Sequence, residues 1–353
     1  MFLQNHWYAA AWDHEIKGQP FARTICGENI VLFRLPDRSL GALEDCCPHR
    51  LMPLSKGFLR RNNLVCGYHG LEFNGGGQCV HMPNQQGIHR EMNVRTYRVA
   101  ERHRFVWVWI GDPSLAHHDK IPDLHQCSDP AWVFDGASYH VRCNYVLLID
   151  NLMDLSHETY VHPTSIGQLE IIEAPAHAEA DEHSVTLTRW MHNIEPPPFW
   201  AANLKSTAKC DRWQICQFSL PANVMIDVGV ALAGTGAPEG NRSKGVTGIV
   251  VNLMTPETET STWYFWGMTR NFDVDDRGLT GRIRDAQAKV FGEDLAILEA
   301  QQENMLRRPD RQPVNLNIDA GGVYARRIMD KERRKLAGDC QIIRGTDSEF
   351  TQS

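Results

Sequence analysis

The sequence lacks several features that would place the protein in a membrane or on nucleic acid. Nowhere do about 18 apolar residues follow one another, as a membrane-crossing helix requires. The N-terminus has no basic segment followed by an apolar stretch, which is the pattern of an export signal. Basic residues are not concentrated anywhere, and 36 Lys and Arg stand against 43 Asp and Glu, for a net charge of −7. We therefore expect a cytoplasmic protein with no membrane segment and no nucleic-acid partner.

The apolar pattern of the chain changes near residue 118. Between residues 21 and 111, short apolar runs alternate with turn residues, and the segment 74–77 (Asn-Gly-Gly-Gly) indicates a hairpin, so this part predicts a small all-β domain. Beyond a polar linker, helical periodicity covers 145–161 and 279–306, with strand-like runs over 184–270. The sequence thus predicts an α+β fold with two domains, 1–118 and 119–353, the second built on an antiparallel sheet.

Two Cys and two His form a regular pattern in the predicted β domain. Cys47 and His49 are separated by one residue, and Cys66 and His69 follow after 16 further residues. A Rieske [2Fe–2S] cluster needs two thiolates on one iron and two imidazoles on the other, and two such loops supply that set. The alternative is a structural zinc site, but zinc usually takes paired Cys and paired His rather than one of each per loop. The pattern favours the iron–sulfur cluster.

A second group of candidate ligands follows the linker. Asp154 and His157 are three residues apart, on one face of the predicted helix, and His162 follows five residues later. On a straight helix the two imidazoles would diverge by about 140°, so joint binding of a metal requires the helix to unwind near its end. Pro163 supplies a reason, because a residue that precedes proline disfavours helical dihedral angles.

A third ligand is predicted on the C-terminal helix at Asp294. In a helical projection Glu293 and Glu299 point away, whereas Asp294 lies among apolar side chains, namely Ile283, Val290, Phe291, Ile297 and Leu298. An ionised carboxylate buried there needs a compensating cation or hydrogen bonds. His157, His162 and Asp294 would together form the two-His-one-carboxylate set of non-haem Fe(II) enzymes. An Asp satisfied by buried hydrogen bonds is the alternative.

The combination of these motifs resembles the Rieske non-haem iron oxygenases over nearly the whole chain. The similarity includes the motif Asn-x-x-Asp-x-x-His-x4-His, here Asn151, Asp154, His157 and His162. It is strongest toward the aromatic O-demethylase group typified by the vanillate enzyme, with similarity also to dicamba and toluenesulfonate methyl monooxygenases. The resembling stretches are residues 5–10, 150–162, 197–200, 211–215, 255–258 and 317–322.

The resemblance implies a helix-grip catalytic domain, a [2Fe–2S] Rieske cluster and a mononuclear Fe(II), with Asn151 and Asp154 as catalytic residues. Asp154 would carry electrons from the cluster of a neighbouring subunit, which implies a head-to-tail ring, usually a homotrimer. By loose alignment Gln214 and Trp263 would line the substrate pocket, although residues of these types in strands are more often part of a core than not.

The activity implied by the resemblance is O-demethylation of a vanillate-like methoxylated aromatic acid to a phenol and formaldehyde, using O2. Gly75 to Gly77 lack the spacing and position of a dinucleotide-binding motif, so the electrons must come from a separate NAD(P)H-dependent flavin and iron–sulfur reductase. Alternatives are a ring or methyl hydroxylase of another small aromatic acid, and a Rieske electron carrier. A zinc-stabilised ligand-binding module is a further alternative and would be colourless.

Overall fold

The computed structural model describes residues 2–85, 87–163, 166 and 169–346, and they form two compact units. The N-terminal unit comprises Gln4–Asp123 with Thr255–Thr258, and the C-terminal unit contains Leu124–Met254 and most of the chain after Glu259. The predicted domain boundary after residue 118 is near this division and stays a prediction. Its outer limits, residues 1 and 353, lie outside the described residues.

The N-terminal unit is built from short antiparallel strands, as predicted. They form a three-stranded sheet in the order β1-β10-β9, another in the order β2-β3-β4, and a four-stranded sheet β5-β6-β7-β8. The strands are β1 His6–Trp12, β2 Phe21–Ile25, β3 Glu28–Arg34, β4 Leu40–Glu44, β5 Phe58–Arg60, β6 Asn63–Val65, β7 Glu72–Asn74, β8 Cys79–His81, β9 Val99–Arg102 and β10 Phe105–Ile110.

The predicted hairpin is the turn between β7 and β8. The Asn74 side-chain oxygen accepts hydrogen bonds from the backbone N–H groups of Gly76 and Gln78, both at 3.0 Å. Gly77 has a φ of 73°, and a Cβ atom there would lie 2.2 Å from the Val94 carbonyl oxygen. Only glycine combines this dihedral angle with so close an approach of two backbone segments.

The C-terminal unit contains one seven-stranded antiparallel sheet with the order β11-β17-β16-β15-β14-β13-β12. Apart from the first strand, which pairs with the last, each strand lies beside its neighbour in the sequence. The strands are β11 Val133–Val141, β12 Ala176–Ala180, β13 Ser184–Ile194, β14 Cys210–Ser219, β15 Asn223–Leu232, β16 Gly245–Thr258 and β17 Ser261–Arg270. The predicted α+β class with an antiparallel sheet is confirmed.

The helices of the same unit are α1 Tyr145–Leu152, α2 Glu158–Val161, α3 Leu169–Glu173, α4 Pro198–Leu204, α5 Arg277–Arg307 and α6 Ala320–Thr346. The predicted helix at 279–306 is confirmed as α5. Asp276 caps its N-terminus by accepting a hydrogen bond from the Leu279 N–H at 2.8 Å. None of the helices in the described part of the chain is long and apolar enough to cross a membrane.

A single helix over 145–161 was predicted, and this prediction is wrong. The chain leaves the helix after Leu152 and re-enters it only at Glu158. The Asp154 carboxylate accepts a hydrogen bond from the Ser156 N–H at 2.6 Å, a local turn that competes with helical hydrogen bonding. The predicted departure from helical geometry at His162 is confirmed, with a φ of −118° and a ψ of 44°.

The core of the unit lies where α5 packs on the sheet. The Phe291 ring lies 5.5 Å from the Tyr264 ring and 5.2 Å from the Trp266 ring of β17. Most of the predicted apolar face of α5 is buried. The prediction that Ile297 belongs to this buried face is wrong, because Ile297 is 48% exposed. The consequence for Asp294, three residues beyond Phe291, is that it lies on the buried side of the helix.

The close approach of α6 to the end of α1 can be tested at Gly321, near the start of α6. A Cβ atom at Gly321 would lie 2.4 Å from the backbone oxygen of Met153, whereas one at Gly281 in α5 would meet nothing within 4 Å. We expect Gly321→Ala to lower the free energy of unfolding by about 1–3 kcal/mol through overpacking. Gly281→Ala, the control, should raise it by about 0.5–1 kcal/mol. Denaturant unfolding followed by fluorescence measures both, and equal stability of the two variants would contradict the close approach.

Candidate metal centres

The two Cys-His loops of the N-terminal unit have the same backbone hydrogen bonds. In the first loop the Cys47 N–H donates to the Met52 carbonyl, and the Leu51 N–H donates back to the Cys47 carbonyl. In the second loop Cys66 makes the same two bonds with Leu71 and Gly70. The residue four positions after each Cys has a positive φ, 56° at Leu51 and 73° at Gly70. The sequence spacing therefore corresponds to two equivalent turns.

The loops place their thiols inside and their imidazoles outside. Cys47 and Cys66 are each 1% exposed, whereas His49 and His69 are exposed and their ring centroids lie 4.5 Å apart. Burial raises the pKa of the Cys47 thiol to about 11, so a thiolate there requires a compensating positive charge. Two buried sulfurs and two adjacent imidazoles, one of each from either loop, fit the ligand set of a Rieske cluster, in which iron supplies that charge.

Around the second candidate site, the turn after α1 and the short helix α2 bring the two His side chains together. His157 and His162 flank the single helical turn Glu158–Val161, and their ring centroids lie 5.4 Å apart. The five-residue spacing thus becomes compatible with joint ligation, because neither residue belongs to the regular part of a helix. His162 is 1% exposed and His157 is half-buried.

Asp294 completes a compact group with both imidazoles. Its Oδ1 atom lies 3.5 Å from Nε2 of His157 and 3.2 Å from Nε2 of His162. One ligand atom from each of the three residues lies within 4.8 Å of the others. Asn151 donates a hydrogen bond from Nδ2 to the same carboxylate oxygen at 3.1 Å. The structure therefore brings together the three predicted ligands and Asn151; that they bind iron stays a prediction.

The electrostatics of this group favour a bound cation. Burial opposes protonation of both imidazoles, but the neighbouring carboxylates outweigh it, so the pKa of His157 and the pKa of His162 are raised. Asp294 acts on both rings, Asp154 on His157, and Glu293 on His162. A divalent metal would satisfy the same carboxylates while leaving the rings neutral. The donor set fits Fe(II), because two imidazoles and one carboxylate leave positions open for other ligands.

The prediction that Glu293 points away from the site is wrong. Its Oε2 atom lies 2.8 Å from Nδ1 of His162. The helical projection located the Cβ atom and ignored the length of the side chain, which lets the carboxylate reach around the helix. Glu299 does point elsewhere, since it accepts hydrogen bonds from Arg142.

Asp154 lies beside His157 without bonding to it. The Oδ2 atom of Asp154 is 3.8 Å from Nδ1 of His157, too far for a hydrogen bond. Burial opposes ionisation of Asp154, but the charge of the neighbouring His157 imidazole and hydrogen-bond donation from Ser156 outweigh it, so the pKa of this carboxyl is lowered. No hydrogen-bond partner for Nδ1 of His157 is present among the residues that the structure describes. Asp154 is thus a charged neighbour of this ring, and its catalytic role stays a prediction.

Gln214 and Trp263 lie in different surroundings. Gln214 is 4% exposed, and its amide nitrogen donates to both oxygens of Glu158, at 2.7 and 2.9 Å. Because Glu158 follows His157 directly, Gln214 belongs to the surroundings of the metal group. Trp263 packs on His140 with ring centroids 4.5 Å apart. Its neighbour Tyr264 faces Phe291, so Trp263 lies on the opposite face of the sheet. The structure does not bring Trp263 to the three ligands.

Three buried polar residues near the site were missed in the sequence. Glu158 holds Gln214, and the Tyr264 hydroxyl donates to Oδ1 of Asn252 at 2.7 Å. Burial, with the nearby charge of Asp294, raises the pKa of Tyr264 well above its usual value. Glu158 could have been found as an acidic residue between the two candidate His ligands. Tyr264 and Asn252 carry no such signal, because each stands in an apolar strand pattern.

Each half of the chain matches a known protein family. Residues 6–98 match the Rieske [2Fe–2S] domain, and residues 141–335 match the C-terminal domain of vanillate O-demethylase oxygenase. The first match favours the iron–sulfur cluster over structural zinc for Cys47, His49, Cys66 and His69. The second match covers more than half of the chain and includes His157, His162 and Asp294.

Individual relatives align from end to end. The chain is 48% identical to the vanillate O-demethylase oxygenase subunit of Pseudomonas sp. (strain HR199 / DSM 7063), over 97% of this chain and 99% of that one. It is 39% identical to the toluene-4-sulfonate monooxygenase system iron-sulfur subunit of Comamonas testosteroni, over 94% and 97% of the two chains. The crystal structure of dicamba monooxygenase bound to 3,6-dichlorosalicylic acid superposes with a TM-score of 0.89 at 35% identity, covering 95% and 99%. The chain therefore belongs to the family of Rieske oxygenases that includes the oxygenase subunit of vanillate O-demethylase.

Proposed function

We propose that the protein is the oxygenase component of a Rieske monooxygenase that O-demethylates a vanillate-like methoxylated aromatic acid. The observation that carries the proposal is the presence in one chain of two equivalent Cys-His loops and a buried group of two His and one Asp. The first set suits electron transfer and the second suits activation of dioxygen. Relatives named as vanillate O-demethylase oxygenase subunits, at 47% and 48% identity, support the substrate class.

In this proposal each centre has its own residues. Cys47, His49, Cys66 and His69 hold the [2Fe–2S] cluster. His157, His162 and Asp294 hold a mononuclear Fe(II), as the non-haem iron in a dicamba monooxygenase structure at 34% identity suggests. When bound, the two centres supply electrons and activate dioxygen. Asn151 holds the Asp294 carboxylate in place by a hydrogen bond.

The net reaction inserts one atom of O2 into a C–H bond of the methoxy group and reduces the other atom to water with two electrons and two protons. The hydroxymethyl ether so formed releases formaldehyde and leaves a phenol. The protein's task is to hold the methyl group at the open side of the ligand set and to exclude bulk water.

Gln214 is proposed as a substrate-contacting residue. Glu158 fixes its amide nitrogen, while its Oε1 atom is buried and has no hydrogen-bond partner in the described part of the chain. A buried acceptor without a partner is costly, and a hydroxyl or other donor on the substrate would satisfy it. Trp263 lacks comparable support, because it lies on the opposite face of the sheet.

The partners of this oxygenase follow from its chemistry. We propose a separate NAD(P)H-dependent flavin and iron–sulfur reductase as the electron source, since the sequence has no dinucleotide-binding motif. We also propose a homotrimer in the cytoplasm, in which the cluster of one subunit serves the mononuclear site of the next. Oxygenase components and subunits of multicomponent systems among the relatives support a separate reductase.

The other candidate functions explain fewer observations. A Rieske electron carrier accounts for the cluster loops but gives no reason for Asp294 to be buried against two imidazoles. A ring or methyl hydroxylase of another small aromatic acid uses the same two centres, and it differs only in which atom of the substrate is attacked. The iron content distinguishes the electron carrier from the proposed O-demethylase. The position of the incorporated oxygen distinguishes the hydroxylase from it.

The mononuclear site is tested by removing its ligands one at a time. We expect about three irons per chain in the wild type and about two in His157→Ala, His162→Ala and Asp294→Ala, because a set missing one ligand holds Fe(II) weakly. Turnover should be abolished, while the Rieske electron paramagnetic resonance signal stays unchanged. Asp285→Ala, an exposed carboxylate on the same helix, is the control. Full iron and activity in Asp294→Ala would assign the third ligand elsewhere.

The position of oxygen attack is tested with 18O2 and a panel of methoxybenzoates, with a reductase supplied. Formaldehyde should appear in equal amount to the phenol and carry the label before it exchanges with water. The phenolic oxygen should remain unlabelled, because the bond between the ring and this oxygen is not broken. Label in the phenol would indicate attack on the ring and favour a hydroxylase.

The bridging role of Asp154 is tested with Asp154→Asn. The substitution keeps the size of the side chain but removes its charge and one acceptor, which in this proposal receives a hydrogen bond from His69 of the partner subunit. We expect an assembled oligomer that retains its metals and a cluster that reduces normally, with turnover lowered by orders of magnitude. Stopped-flow reoxidation of the reduced cluster, with substrate and O2 present, isolates the affected step. Reoxidation at the wild-type rate would show that electrons do not pass through Asp154.

A further inference from the structure

Both ring nitrogens of His162 face carboxylates from consecutive residues of α5. Nδ1 lies 2.8 Å from Oε2 of Glu293, and Nε2 lies 3.2 Å from Oδ1 of Asp294. Consecutive positions on a helix diverge by about 100°, so two adjacent side chains rarely reach the same group. Here the shorter Asp reaches one nitrogen directly, and the longer Glu reaches the other from the side of the helix. The ring is thereby held at both ends.

The chemistry of a neutral imidazole then assigns different tasks to the two contacts. One nitrogen carries a hydrogen and the other carries a lone pair, and a carboxylate can only accept. Nε2 must keep its lone pair if it is to bind a metal beside Asp294. The hydrogen therefore belongs on Nδ1, where Glu293 accepts it.

The other imidazole of the site has no equivalent anchor. Asp154 lies 3.8 Å from Nδ1 of His157, and this nitrogen makes no hydrogen bond to any described residue. His157 is also more exposed than His162, with side-chain exposures of 20% and 1%. Of the two rings, His162 is the one whose Nδ1 atom lies within hydrogen-bond distance of a carboxylate.

We propose that Glu293 is a positioning residue that fixes the Nδ1–H tautomer of His162 and thereby sets the metal affinity of the mononuclear site. It acts through His162 and is not itself a ligand. The inference rests on the proposed function, because it presumes a metal at the three ligand atoms. Loss of such a partner of a metal-bound His typically lowers metal affinity about 10–100-fold.

The chain offers a matched control on the same helix. Glu299 is exposed to the same extent as Glu293, 25%, and it also accepts hydrogen bonds from one basic side chain, Arg142. It lies away from the three ligand atoms. Glu293→Leu removes the acceptor, Glu293→Gln retains an acceptor oxygen without the charge, and Glu299→Leu removes an ordinary surface pair.

The experiment measures metal binding rather than turnover. Protein stripped of mononuclear metal, with its Rieske cluster intact, is titrated anaerobically with Fe(II) and, separately, with Co(II) against a competing chelator. We expect Glu293→Leu to bind both metals about 10–100-fold more weakly, Glu293→Gln to recover most of the affinity, and Glu299→Leu to match the wild type. The absorption spectrum of bound Co(II) should change in Glu293→Leu alone.

Three results would overturn the inference. Glu293→Leu could bind metal as tightly as the wild type, Glu299→Leu could lose as much affinity as Glu293→Leu, or the Gln variant could be as weak as the Leu variant. The last result would show that the charge matters and the hydrogen bond does not. A wild type that binds no stoichiometric metal at this site would instead refute the proposed function, so the two failures are distinguishable.

Discussion

The carboxylate of Asp294, buried on the inner side of α5, is the constraint on which the C-terminal unit depends. An ionised carboxylate at 5% exposure is tolerated only where hydrogen bonds or a cation compensate it. The break after α1 lets His157 and His162 approach it, and Asn151 supplies a hydrogen bond. The packing of Phe291 against β17 keeps this face of the helix against the sheet. The break after α1 and the packing of α5 thus place the groups that compensate the buried charge of Asp294.

The two centres expose their ligands in opposite ways. In the N-terminal unit the thiols are buried and the imidazoles face solvent, which places the His side of a cluster where another protein surface can approach it. In the C-terminal unit His162 is almost completely buried, and each of its two ring nitrogens lies next to a carboxylate. Such a difference suits one centre that exchanges electrons at a surface and another that keeps a reactive metal away from water.

Much of the architecture could be predicted from the sequence, because it rests on local patterns. Alternating apolar runs and turn residues indicated the β domain, and a long segment with helical periodicity indicated α5. The break between α1 and α2 could not be predicted, since the Leu spacing continues through Asp154. It depends on a competition between helical hydrogen bonds and the turn that Asp154 makes with Ser156, which periodicity does not measure.

For the candidate site, the ligand types and their spacing can be read directly from the chain: two Cys-x-His-like loops, two His five residues apart, and one Asp among apolar residues. These are properties of neighbouring residues, and the chemistry of iron restricts what such sets can bind. Three further features emerge only from the folded chain: Glu293 reaches His162, Glu158 holds Gln214, and Trp263 lies on the face of the sheet opposite to Tyr264. Each of these depends on the length and direction of a side chain relative to a distant segment, which no spacing along the chain encodes.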